Sequence, residues 1–164
     1  YHYFINKQFY VQKDYQIAMN SIVFFSTEQI SEIIKRMYPV KFYEKRTQKT
    51  KGYATHIITN AITSCIYRLE YKAALYYIEL AESTMDFSTN YYLRLNIQYH
   101  KNIALRFVKR DTVYIEKARQ IIGIMYEISD KQTAEQFEDE LNKIINKADY
   151  YFDTNNFPRT TIKE

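Results

Sequence analysis

Two glycines (Gly52, Gly123) and two prolines (Pro39, Pro158) are all that this chain of 164 residues offers for tight turns. A sandwich or barrel needs turn chemistry about every ten residues, and a phosphate-cradling loop needs clustered glycine, so neither can be built here. What remains is helices joined by short polar links. With 46% hydrophobic residues and a length typical of one domain, such helices can bury a real core.

The apolar spacing is helical nearly throughout. Ser26 to Gln29 forms a capping box that opens a helix with Ile30, Ile33, Ile34 and Met37 on one stripe, and Pro39 ends it, since the residue before proline avoids helical backbone. The basic stretch from Pro39 to Gly52 is expected to be the longest connection, with room for a short helix. A second long helix is expected from Tyr53 to about Leu69, carrying Ile58, Ala61, Ile62 and Cys65, and a turn at Glu70–Lys72 leads to a helix from Ala73 to Met85. Ser88 to about Val108 and Val113 to Ile128 follow, separated by a turn at Arg110–Thr112. Ser129 and Asp130 then cap a last amphipathic helix with Ala134, Phe137, Leu141, Ile144, Ile145 and Ala148 on its buried face.

Three of these helices repeat one another. Ile30/Ile34/Met37, Ala74/Ile78/Ala81 and Ala118/Ile122/Met125 share one spacing, each copy 44 residues after the last. Self-similarity at such a period means stacked helix pairs. In the middle copy Ala74, Ile78 and Ala81 stand where a tetratricopeptide repeat places its second-helix packing residues. The expected fold is therefore all-α: antiparallel helix pairs in a tetratricopeptide-like right-handed superhelix, closed by a C-terminal capping helix. Residues 1–149 would form the repeat domain and 150–164 a tail. Such an array curves, and the first helix of each pair lines its concave face, a surface suited to an extended peptide or a partner helix.

Composition narrows the chemistry. The single Cys65 excludes an internal disulfide, and three histidines (His2, His56, His100) without paired ligand spacing give no reason to expect a metal. Glu79 with Glu82, or Glu138 with Asp139 and Glu140, are helix-surface carboxylates at ordinary spacing, so the chain is not expected to be an enzyme or to hold a cofactor. No apolar run is long enough to span a membrane and no signal peptide opens the chain, which points to the cytoplasm and to no membrane partner. The chain starts at Tyr1 without Met, so a further N-terminal part is expected. A net charge of +4 is weak for a nucleic-acid surface. It is unevenly placed, however. Residues 35–51 carry seven bases against Glu44, and residues 127–140 carry six acids against Lys131. These are either solvated surfaces or complementary faces of a homodimer.

The run Asp14-Tyr15-Gln16-Ile17-Ala18-Met19-Asn20-Ser21, followed by apolar Ile22 to Phe25, resembles the start of the regulatory domain in the Rgg/GadR/MutR family of bacterial transcriptional regulators, with Gln16 where that family commonly has Glu. Leu93 to Phe107, Arg110-Asp111 and Ala118 to Ile122 resemble its C-terminal block, and Lys131 to Ile145 its closing helix. The resemblance implies a tetratricopeptide-like domain that dimerises and binds a short secreted-and-reimported signalling peptide, as in quorum sensing. It also implies a helix-turn-helix domain upstream of Tyr1 that alone would contact DNA. The competing reading is a stand-alone tetratricopeptide-like scaffold for a protein partner with no link to DNA.

Asn60 sits mid-helix, where Asn is a poor helix former, and its amide can donate and accept at once, as holding an extended peptide requires. Asn20 precedes it by 40 residues in an equivalent setting, and Thr59 and Thr63 flank it on nearly the same face. Each Asn is either a peptide contact or a tie to a neighbouring helix. Arg94, Asn96, Lys101 and Asn102 share the following long helix, where a base could take a peptide's terminal carboxylate or simply face solvent. Tyr76, Tyr77, Tyr91, Tyr92 and Tyr99 are expected in the core or at helix crossings.

Overall fold

The computed structural model describes residues 1–84 and 90–146. Among them there are eight α-helices and no strand: α1 (His2–Ile5), α2 (Gln12–Ser21), α3 (Thr27–Met37), α4 (Gln48–Tyr67), α5 (Tyr71–Thr84), α6 (Tyr91–Lys109), α7 (Val113–Glu127) and α8 (Lys131–Asn146). Met85, Ser88, Ala148 and the tail from residue 150 lie outside the described residues, as do the side chains of Ile144 and Ile145.

The all-α array of helix pairs is the observed architecture. α4 packs against α2, α5 and α6; α5 against α6; α6 against α7; and α7 against α8. Thus α2, α4 and α6 lie side by side as first helices. The second helices α3, α5 and α7 carry the three repeated triads, all buried and none more than 5% exposed. Ring stacks join successive units, Tyr71 of α5 on Phe107 of α6 at 4.3 Å and Tyr99 of α6 on Phe137 of α8 at 4.1 Å between centroids.

Three boundaries differ from the sequence reading. α4 begins at Gln48 instead of Tyr53, because the Thr47 side chain accepts the Thr50 amide and caps it, and Gly52 continues the helix without strain. The basic connection therefore shrinks to residues 38–47, with one 3-10 turn at Tyr43–Lys45. The reversal after α4 falls at Leu69 instead of Glu70–Lys72. There Glu70 N–H donates to Cys65 O (2.8 Å) and Leu69 N–H to Ile66 O (3.0 Å), a helix stop that usually takes glycine but here holds Leu69 at φ 63°. The end of α7 repeats it: Ser129 takes φ 66° and Asp130 N–H donates to Met125 O. Ser129 thus ends α7 and Asp130 alone caps α8, accepting from Thr133 N–H. Ser26, by contrast, caps α3 in the expected capping box, and Tyr38 is extended before Pro39.

The tyrosines divide. Tyr77 and Tyr99 are buried, whereas Tyr76, Tyr91 and Tyr92 are exposed on helix surfaces.

Candidate functional site

α4 is long enough to turn one face to the core and another outward. Ile57, Ile58, Ala61, Ile62 and Cys65 are buried. Gly52, Thr55, His56, Thr59, Asn60 and Thr63, spaced three and four apart, form an outward stripe. They meet Asn90, Tyr92, Leu93 and Asn96 at the start of α6 around a cavity of about 240 Å³. Asn90 also caps α6, its side chain accepting the Leu93 amide. The two walls are neighbouring first helices, so the cavity lies on the face where the repeat architecture places its groove. Its lining holds hydroxyls, carboxamides, one imidazole and apolar carbon, and no fixed charge. Such a surface offers donors and acceptors to a main chain and no opposite full charge to an ionised group.

Of the eight residues singled out in the sequence, Thr59, Asn60, Thr63 and Asn96 come together here. Asn60 serves a second purpose: its Nδ2 donates to Met19 O at 3.0 Å. Met19 is in the last turn of α2, where helix carbonyls lack intrahelical partners, so Asn60 ties α4 to α2. The remaining four lie elsewhere. Asn20 and Arg94 are exposed away from the cavity lining. Lys101 donates to both carboxylate oxygens of Glu82 on α5 at 2.8 Å, which makes it a cross-helix tie. Asn102 is buried, with Nδ2 donating to Gln98 O one turn back on its own helix at 2.8 Å.

Sequence reasoning missed Thr55, His56, Asn90 and Tyr92. The signal available for the first two was the period: stepping back from Asn60 by fours reaches His56 and Gly52, and from Thr59 reaches Thr55.

The buried titratable groups stand apart from this cavity. Cys65 is fully buried, and burial pushes its thiol up to about 12, which removes it as a nucleophile. His100 is pressed down to about 4 by burial, although its Nδ1 contact with Asn96 O acts in the other direction. Burial pushes the Asp14 carboxyl up, but Lys7, Tyr3 and the Val11 amide together hold it below the ordinary value, so Asp14 is an anchor for the N-terminal segment. Among the described residues there is no group of three or more His, Cys, Asp or Glu able to hold a metal, and no helix long and apolar enough to cross a membrane.

Known proteins bear on this geometry. A family model described as "HTH-type transcriptional regulator Rgg, C-terminal domain" matches residues 2–139. The fold is similar to the solved structure of PrgX, with TM-score 0.74 and 27% identity over 91% of this chain and 50% of that one. It is also similar to PrgX in its complex with cCF10, with TM-score 0.72 and 27% identity over 88% of this chain and 48% of that one. The chain therefore spans about half the length of the solved structures it matches. Among curated proteins nothing matches.

Proposed function

The chain belongs to the family of Rgg transcriptional regulators, as their C-terminal domain, and from that premise we propose that it senses a short peptide in the groove between α4 and α6. The observation that carries this reading is the uncharged cavity bordered by Asn60, Thr63 and Asn96, whose carboxamides and hydroxyls suit an extended main chain while burial of apolar side chains supplies affinity. That a related protein, PrgX, forms a complex with cCF10 supports a ligand-binding role. In the same proposal residues 1–149 form the regulatory domain of a cytoplasmic regulator, the domain dimerises, and DNA is contacted only through a helix-turn-helix domain outside these residues.

The test is affinity selection from a synthetic pool of uncharged heptapeptides, followed by hydrogen exchange of the complex. Protection is expected along residues 52–63 and 90–96. Protection confined to other helices, or no retained peptide, refutes the groove. A sedimentation experiment at tens of micromolar that shows monomer alone refutes the dimer.

A further inference from the structure

The uncharged cavity has a neighbour of the opposite character. Thr55 lines both it and a second cavity of about 150 Å³, walled by Tyr38, Pro39 and Tyr43 of the connection and by Lys51 of α4. Among the described residues lining the two cavities, Lys51 is the one fixed charge. Its side chain is 17% exposed, and its Nζ lies 4.7 Å from the Tyr43 ring centroid. Its counter-ion is Glu44 at 4.0 Å, the outer limit of an ion pair, and the Glu44 side chain is 92% exposed. A carboxylate so well solvated attracts weakly. An ammonium has three protons to donate, and the side chain of Lys51 is largely covered with its Glu44 partner no closer than 4.0 Å.

We propose that Lys51 receives the terminal carboxylate of the bound peptide, which fixes the peptide's direction with its C-terminus toward the start of α4. The proposal rests on the groove reading above and adds polarity to it. The bases expected from the sequence to do this are unsuited: Lys101 already holds both oxygens of Glu82, and Arg94 borders neither cavity. Lys51 and Thr55 are one turn apart, and Lys51 lies nine residues before Asn60, about 14 Å along the axis of α4 and half a turn around it, with Thr55, which lines both cavities, between them. An extended chain that covers this rise and passes around the helix needs about five or six residues. A ligand whose carboxylate meets Lys51 thus places a main-chain amide roughly five or six residues earlier beside Asn60. The Lys51 ammonium also borders a concave space walled by Tyr38 and Tyr43, where a charge-assisted hydrogen bond is better sheltered than on an open helix face.

The experiment compares two pools of heptapeptides, free of Asp, Glu, Lys and Arg and with free amino termini, one ending in carboxylate and the other in carboxamide. Wild-type chain is expected to retain the free acids about 10- to 100-fold better than the amides. Lys51→Met should erase that preference, while Lys51→Arg should keep most of it. Circular dichroism confirms that each variant folds, and the wild-type comparison needs no variant at all. Equal retention of acids and amides overturns the Lys51 assignment and leaves the groove standing. A free-acid preference that survives Lys51→Met also overturns it, as does equal retention of amidated peptides carrying a single Asp in place of the terminal carboxylate. If neither pool is retained, the groove reading falls and this proposal with it.

Discussion

The second helices of this array repeat and the first helices do not. α3, α5 and α7 bury Ile30/Ile34/Met37, Ala74/Ile78/Ala81 and Ala118/Ile122/Met125 at one spacing. The outward stripe of α4 is Gly, Thr, His, Thr, Asn and Thr, and nothing on α2 or α6 copies it. The difference has a physical origin. α5 and α7 are each wedged between two neighbours, so each must present small or slender residues where helices cross. A groove-facing residue is held by no such constraint and can answer to a ligand. Stability should therefore reside in the repeated triads and selectivity in the unrepeated stripe.

The sharpest way to break that division is Ile78→Ala, in the middle triad. Ile78 is fully buried, so the loss combines transfer free energy with an unfilled cavity and should cost about 2–5 kcal/mol. Urea denaturation measures it. The folded fraction should still retain peptides with wild-type preference. A cost under about 1 kcal/mol would mean that α5 can collapse onto the gap and that the triad does not hold the array.

A first helix can also carry stability where it turns inward. His100 of α6 is buried against Tyr99 and Phe137, with its folded value near 4 and its unfolded value near 6.5. A base depressed on folding stays neutral in the native state while the unfolded chain takes up its proton. Stability should then fall as pH drops from about 6.5 to about 4, by up to roughly 3 kcal/mol. His100→Gln lacks that titration, so the wild-type and variant stability curves should converge toward low pH. Parallel curves would mean that the imidazole is hydrated in the folded state.

Asn60 lies on the border between the two roles. Removing its side chain leaves Met19 O without the amide that satisfies it, so Asn60→Ala should cost about 1–3 kcal/mol of stability as well as weaken peptide retention. The double effect separates it from Thr63→Ala, which should alter retention with stability nearly unchanged. If Asn60→Ala changes stability alone, its carboxamide belongs to the α2–α4 contact and not to the groove.

These cases show where the sequence is readable. The triads and the capping box were legible because they depend on local period and on neighbours in the chain. The stops at Leu69 and Ser129 were not, because each holds a left-handed backbone without the glycine that usually marks it, closed by local amide-to-carbonyl bonds across the helix end. The start of α4 was misplaced because Gly52 resembles a breaker, whereas a Thr47 cap carries the helix through it. Within the candidate site Thr59, Asn60, Thr63 and Asn96 were legible from residue type on a helix face. Lys51 was hidden in a run of bases. What distinguishes it from Lys45 or Lys49 is how deeply its side chain sits beside Tyr43 and Tyr38, which depends on how the connection folds back over α4.

The smallest effect is expected at Lys101, and it bears most directly on which base matters. Lys101 and Glu82 are each about a third exposed, and their pair joins α6 to α5 at the surface, with Gln98 Nε2 also donating to Glu82. Solvent screens such a pair, and holding two long side chains costs entropy that offsets much of the attraction. A double-mutant cycle of Lys101→Met with Glu82→Gln should give a coupling of about 0.2–1 kcal/mol in urea denaturation, shrinking as salt is raised. The preference for free-acid peptides should be untouched in Lys101→Met, because an ammonium already holding both oxygens of one carboxylate is poorly placed to receive another. A loss of that preference here, with Lys51→Met behaving as wild type, would reverse the proposed direction of the peptide and move its carboxylate to the α5–α6 side of the array.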